Sequence, residues 1–418
     1  MLGQDKSLIK EVRARFAYVE SDPFSGERIF FENAGGALTL NSVVETAAKF
    51  AAIPDNQGRD NPAAKAMGEV IAKGRADAMV FLGAEQGQVI VGESGTEMLF
   101  RLIRTACMGT PAGNVLGSTL EHPASRSAAA LWAKAAGKKH VLVAHDDASG
   151  CVGPEAYAAA VTADTQVATI VHCSPVTGMD VDIAAIAAVI RRVAPECIII
   201  VDGIQHAAHG HVDVTAAGVD GYVISPYKVF SRHGFGLAWM SDRLAGLPHE
   251  SLIGADSWEL GTRDAGAYAA FSDVVDYFDW LGAKLGGPAS RRGRIEEAAA
   301  AIKAHEKDLT DAMLKGVGNL AGLAELPGVT VLGGVDNPAR AGLVACALEG
   351  MSAEELVSAL RERGVRTHAR KADHYSGNVL TPLGMADCLR VSLCHYNTEA
   401  EVAAFLTAMA EIAGQTRQ

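Results

Sequence analysis

The chain has 418 residues, 49% of them hydrophobic, with 49 acidic against 37 basic side chains and a formal net charge of −12. That composition excludes a disordered or fibrous protein, and the negative balance argues against nucleic acid or an anionic membrane as the main partner. Seven cysteines, at 107, 151, 173, 197, 346, 388 and 394, form no C-x-x-C pair, which speaks against a zinc ribbon or a disulfide framework and predicts reduced thiols in a cytoplasmic protein.

Short apolar runs alternate with helical patterns along the first two thirds of the chain. Residues 88–91 read as a strand and 96–107 as a helix; 114–117, 140–144 and 166–172 read as strands, with helices at 124–136 and 183–193 between and after them. Residues 197–201 form a run of strand formers suited to burial on both faces, and 222–225 and 236–240 follow as strands. This rhythm predicts an α/β fold with a mainly parallel sheet, which binds ligands beyond the carboxyl ends of its strands. After about residue 265 the rhythm changes. A long helix at 294–314 is placed to bridge two domains, strands at 342–348, 365–367 and 389–393 suggest a smaller α+β domain, and 399–412 closes the chain as a helix. No apolar run reaches the length that spans a bilayer, and residues 1–15 lack the apolar core of a signal peptide.

Three features stand at the expected strand ends. In "VGESGTEMLFRL" a strand runs through Gly92 into Ser94, Gly95 and Thr96 and a helix begins, so backbone N–H groups face outward where a phosphate binds well. An ordinary capped turn accounts equally for that stretch taken alone. In "VDGIQHAAHG" Asp202 ends the buried run 197–201, and a buried acid needs a cationic partner or hydrogen bonds. Lys228 follows 26 positions later in "ISPYKVFSRHGFGLAWMS", between two apolar runs. A lysine, an aspartate and a phosphate turn at one sheet edge are what pyridoxal 5′-phosphate requires: a Schiff base, a partner for the pyridinium N–H and an anion site. His122 in "LEHPASRSAA" starts a helix beside them, where its ring is placed to stack on the cofactor; taken alone it reads as a helix cap.

With these residues in view, the chain resembles the class V aminotransferase-like group of fold-type I pyridoxal-phosphate enzymes, which includes cysteine desulfurases, isopenicillin-N-epimerase-like proteins and kynureninase. The resemblance runs from "FENAGGALTL" to "LRVSLCHYNTEAEV" and is carried best by "VDGIQHAAHGHVDV", "SPYK", "WELGTRD" and "LRVSLCHYNT". It implies a large domain over 41–290 with a mainly parallel seven-stranded sheet and a small α+β domain over 291–418, with the segment 1–40 contributing to the small domain and the active site. It also implies roles. Lys228 carries the cofactor and moves protons; Asp202 pairs with the ring nitrogen; Gln205 binds the phenolic oxygen; His122 stacks on the ring. Gly95, Thr96, Ser225 and Tyr227 serve the phosphate, with tyrosine standing before the lysine as in kynureninase. Thr262 reaches the phosphate of a partner subunit, which implies a homodimer with shared sites. Arg390 grips the substrate α-carboxylate, a task that suits a guanidinium fork, and Asn33 helps from the N-terminal segment.

The pattern also breaks. Desulfurases carry a nucleophilic cysteine in the loop before the carboxylate-binding arginine, and "THARKADHYSGNVLTPLG" has none. It holds instead His368, Arg370, Lys371, Asp373, His374 and Tyr375, a polar set suited to cover a polar substrate, with His374 expected at it. Pro175 stands where relatives often have asparagine. The expected function is a C–S lyase acting by β-elimination on a small amino acid without a persulfide cysteine. The alternatives are an aminotransferase, or an epimerase or racemase, of the same family; a catalytically silent scaffold is disfavoured by the intact Lys228–Asp202–His122 set. A Rossmann dehydrogenase lacks its G-x-G-x-x-G. His206, His209 and His211 cluster, but no carboxylate or cysteine set completes a metal site in the sequence, and no metal is expected.

Overall fold

The computed structural model describes residues 2–255 and 257–416. Seven strands, β1 (Gln88–Gly92), β2 (Asn114–Ser118), β3 (Lys139–Val143), β4 (Thr165–Val171), β5 (Ile198–Asp202), β6 (Gly221–Ile224) and β7 (Gly236–Met240), form one sheet in the order β1-β7-β6-β5-β4-β2-β3. The β2–β3, β2–β4, β4–β5 and β5–β6 pairings are parallel, and β7 runs antiparallel to both its neighbours. Every residue of β5 is buried, as a central strand covered on both faces must be, and this is why its sequence shows four apolar residues in a row rather than alternation.

Helices cover both faces, among them α1 (Pro62–Leu82), α2 (Gly95–Gly109), α3 (Pro123–Ala135), α4 (Ile183–Val193), α5 (Ala265–Lys284) and α6 (Arg291–Lys315). In α2 the apolar Met98, Leu99, Leu102, Ile103 and Ala106 recur at helical spacing and are all buried. Its start is fixed by Ser94, whose hydroxyl accepts from Glu97 N at 3.1 Å. Helix α6 packs on α5 and α1 and also on the C-terminal helix α8 (Glu399–Gln415), so one rod touches the layers around both sheets. Among the described residues no helix is long and apolar enough to cross a membrane.

The second sheet is antiparallel, in the order β8 (Val329–Val331), β9 (Leu343–Leu348), β11 (Asp387–Ser392), β10 (His368–Lys371). It is backed by Ala353–Glu362 and α8, whose Leu356, Leu360, Phe405 and Met409 share a core with Val344, Leu389 and Val391. The expected strand at 365–367 divides in two. Val365–Arg366 pairs in parallel with Ile29–Phe30, and His368–Lys371 pairs with β11. The stretch 367–384, expected as a covering loop, therefore begins as an edge strand and also contains the short helix Gly377–Leu380. Pairing with β11 overrides the polar, loop-like composition of "HARK", a common outcome at a sheet edge.

Candidate active site

The carboxyl ends of β1, β2, β5 and β6 lie at one edge of the parallel array, and four sequence signals converge there. Asp202 ends β5 and is 4% exposed. Its Oδ1 accepts from Ile204 N at 3.1 Å and its Oδ2 from the Ser125 hydroxyl, on α3, at 3.4 Å. Burial pushes its carboxyl above the usual range, and the Ile204 hydrogen bond and the charge of Lys228 oppose that rise. A carboxylate so placed is stabilised by one more cationic N–H.

Lys228 closes the turn Ser225–Pro226–Tyr227 after β6, with its own N–H donating to Ser225 O at 2.9 Å. Its Nζ donates to Gln205 Oε1 at 3.3 Å. Burial, with the positive charge of Arg390 next, brings its ammonium down to about 8, so roughly a tenth is free amine at pH 7, far more than for an ordinary lysine, and that form is both nucleophile and base. Two residues on, Phe230 is fully buried with φ of 63°, a left-handed conformation that costs a non-glycine residue roughly 1–3 kcal/mol. Packing against Phe16, Tyr277 and Phe278 holds it there, so the lysine turn is over-determined by its surroundings.

The anion end lies between α2 and the same turn. A Cβ added to Gly95 would stand 2.4 Å from Ser225 Oγ and 2.7 Å from Ile204 Cδ1, and one added to Gly236 2.2 Å from the Ser94 carbonyl carbon. Only bare backbone fits there, which brings helix N-terminal N–H groups beside a hydroxyl with no side chain between, the setting a phosphate uses. Thr96 is exposed at that terminus. Tyr227 stacks on His233 at 4.3 Å between ring centroids, and its hydroxyl makes no hydrogen bond among the described residues. These groups fit pyridoxal phosphate at both ends.

His122 is the N-cap of α3, its Nδ1 accepting from Ala124 N at 3.1 Å. The cap and a site role coexist, because capping uses one nitrogen and leaves the ring face free. Burial and the surrounding Lys228 and Arg370 charges hold the imidazole down at about 4, so it is a neutral flat ring. Beneath it lies Glu121, which sequence reasoning passed over. It is 1% exposed, accepts from Ser118 N at 2.9 Å and the Thr169 hydroxyl at 2.7 Å, and burial raises its carboxyl to about 7. Its position just before His122 was the only signal in the sequence.

Arg390 is on β11, 3% exposed, with Nη1 donating to Pro175 O at 3.1 Å and a buried Nε that has no partner among the described residues. Burial and the adjacent Arg370 charge lower it to about 10. Such a guanidinium calls for an anion. Asn33, expected at the substrate, is bonded within the protein. Its amide donates to Ser392 O at 2.8 Å, its carbonyl oxygen accepts from the Tyr396 hydroxyl, and it is 1% exposed. With both ends occupied within the protein, it ties residues 30–36 to β11. Thr262 is exposed on the segment before α5 and is not among the side chains gathered at the edge; its neighbour Arg263 pairs with Glu93 at 2.8 Å, beside the start of α2. His374 is exposed too, but its carbonyl accepts from Arg126 at 3.4 Å and its ring packs on Tyr375, which reaches the His122 ring at 5.9 Å. The segment 373–376 thus overhangs His122.

The three clustered histidines each find a carboxylate from elsewhere in the chain. His206 Nδ1 lies 2.9 Å from Asp180, His209 Nδ1 2.8 Å from Glu306, and His211 Nε2 3.4 Å from Glu296. Asp180 and Glu306 come from positions 26 and 97 residues away, beyond any local pattern. All seven cysteines are free and all but Cys151 are buried; burial pushes Cys388 up to about 12 and Cys394 far above its usual range. Neither thiol beside Arg390 is a thiolate near neutral pH.

Comparisons with known proteins bear on the family and the fold. The family model for aminotransferase class-V matches residues 29–405. An aminotransferase-like protein of Gibberella zeae, FGM3, is 25% identical over 96% of this chain and 97% of its own length. A probable cysteine desulfurase of Xylella fastidiosa is also 25% identical, over 96% of this chain and 95% of the relative. The apo structure of a cysteine desulfurase from Thermococcus onnurineus superposes with a TM-score of 0.81 at 19% identity, covering 97% of this chain and 98% of that one, which shows the shared fold. The chain belongs to the class V aminotransferase family and is a pyridoxal 5′-phosphate-dependent enzyme.

Proposed function

We propose that the protein is a lyase of the cysteine desulfurase-like kind that cleaves a β-substituent, a C–S bond foremost, from a small amino acid without a persulfide cysteine. The observation that carries this reading is the low-pKa amine of Lys228 at the edge that holds Asp202, within reach of the charge of a buried Arg390 whose Nε has no hydrogen-bond partner among the described residues, with the Cys388 thiol buried and protonated. Pyridoxal phosphate, when bound, supplies a ring that accepts the electron pair left at the substrate α-carbon. Asp202 would hold a proton at the pyridine nitrogen, Gln205 would bind the phenolic oxygen, and the neutral His122 would pack on the ring face. Gly95, Thr96, Ser225 and Tyr227 would serve the phosphate. Arg390 fixes the α-carboxylate so that the α-proton faces Lys228, which removes it as general base and then stands ready to protonate the leaving group.

Transamination remains the second reading, favoured by the aminotransferase-like relative; it needs only that Lys228 return its proton to a different carbon. Incubating the holoenzyme with a panel of amino acids separates the two. Release of a keto acid together with ammonia and a thiol or sulfide is expected. Conversion of the amino donor into its keto acid only in the presence of a keto-acid acceptor would replace elimination with transamination. A homodimer with shared sites is part of the proposal, supported by the exposure of Thr262. Mixed dimers of Lys228→Ala and Thr262→Ala protomers, assembled from inactive parents, are expected to regain part of the activity; no regain removes the shared site.

A further inference from the structure

Strand β10 lies antiparallel to β11, with His368 opposite Arg390 and Arg370 opposite Cys388. Alternate residues of a strand share a face, so Arg390, His368 and Arg370 stand on the same side of the sheet. Arg370 is a diagonal neighbour of Arg390, at a separation of roughly 7–8 Å between their backbones. Its Nε donates to Ser376 Oγ at 2.8 Å, and its guanidinium lies 5.7 Å from the centre of the Tyr375 ring, the ring that reaches His122. Among the described residues neither Nη of Arg370 has a hydrogen-bond or ion-pair partner. The Asp373 carboxylate is turned to its own turn, accepting from Tyr375 N at 2.8 Å and Ser376 N at 3.3 Å. The wall over the site therefore carries two guanidinium groups, each with unused donors: one buried on β11, one half-buried on β10 beneath the 373–376 overhang.

Arg370 acts as a like charge on Arg390, Lys228 and His122, while the opposite charges of Glu32 and Asp373 act on Arg390 and Arg370 from the side and leave the Nη donors of Arg370 unused among the described residues. From this juxtaposition we infer that the substrate carries a second acid group, on its β- or γ-carbon, which Arg370 binds while Arg390 holds the α-carboxylate. The inference rests on the reading of Arg390 given under the proposed function. The Nε bond to Ser376 orients the fork and leaves Nη1 and Nη2 for a carboxylate-, sulfinate- or sulfonate-type group. Acidic amino acids of three- to five-carbon length, whose acid groups lie at either end of the molecule, fit this description; neutral isosteres leave Arg370 without its anion.

The test compares aspartate with asparagine, and cysteine sulfinate with cysteine, by titrating each into the holoenzyme and following the absorbance of the bound cofactor. The acidic member of each couple is expected to bind about tenfold or more tighter, the size of one charge-assisted pair. Arg370→Gln is expected to erase that preference while leaving the neutral member unchanged, and Arg370→Lys to restore part of it. A merely structural Arg370, bracing the overhang through Ser376, would change both members alike. If neutral members bind as well as acidic ones in the wild type, or if the preference survives Arg370→Gln, the inference is wrong and the proposed function stands. If no amino acid perturbs the cofactor band and Arg390→Gln changes nothing, the proposed function falls and takes the inference with it.

Discussion

The two walls of the site are built differently. On the large-sheet side, Asp202, Gln205 and Ser225 are each buried and hydrogen-bonded or closely packed, and they sit at the ends of strands buried on both faces. On the small-sheet side, Arg390 and Arg370 hang from an antiparallel sheet whose edge strand is half exposed, and both keep unused donors. Satisfied polar groups are rigid, and unsatisfied ones await a ligand. The large sheet thus presents a finished cofactor wall, and the small sheet an unfinished wall that the substrate completes. A family that shares the first can differ in the second.

The largest expected effect breaks the cofactor wall. Lys228→Ala should abolish the visible absorbance band of the imine and lower turnover by roughly 10⁴-fold or more, since nucleophile and base go together; a spectrum and a steady-state assay check it. Arg390→Gln should leave that band in place and lower kcat/KM by about 10²–10³-fold, the loss expected when a buried charged pair loses one member. Intact cofactor binding with lost substrate binding is the contrast between the walls in one experiment. Gly95→Ala should reverse it. The added Cβ, 2.4 Å from Ser225 Oγ, should weaken cofactor affinity by about ten- to a hundredfold through overpacking, with substrate KM unchanged once the enzyme is reloaded. The pH dependence follows from Lys228 at about 8. Only the free amine attacks an aldehyde, and it becomes dominant as pH rises through that value. The rate at which apo protein takes up pyridoxal phosphate should therefore climb with its midpoint near 8, not near the ordinary lysine value. The smallest effect is Asn33→Ala, expected to cost about 1–3 kcal/mol of stability by removing the acceptor of the Tyr396 hydroxyl and a donor to the Ser392 carbonyl. A rise in substrate KM larger than this loss explains would return Asn33 to the substrate.

The same contrast governs what could be read in advance. The seven strands, Asp202, Lys228 and the Gly95 turn are written locally: an apolar run ends, and the functional residue comes next. The family resemblance added Gln205 and Arg390. What stayed hidden depends on distant partners. The "HARK" edge strand exists because β11 offers a ladder, and its own composition says loop. Asp180 and Glu306 meet His206 and His209 only in three dimensions. Asn33 was expected at the substrate through the family resemblance, and the partner that buries it, Ser392, lies 359 positions away.

That last distance bears on how the molecule is made. Residues 29–36 leave the ribosome long before their partners, since Ile29–Phe30 pairs with Val365–Arg366 and Asn33 locks onto Ser392. During synthesis this stretch must wait, unpaired, until those partners have emerged, and contacts of such long range close late. A nascent chain halted before residue 365 would have all seven strands of the large sheet and no seat for residues 29–36.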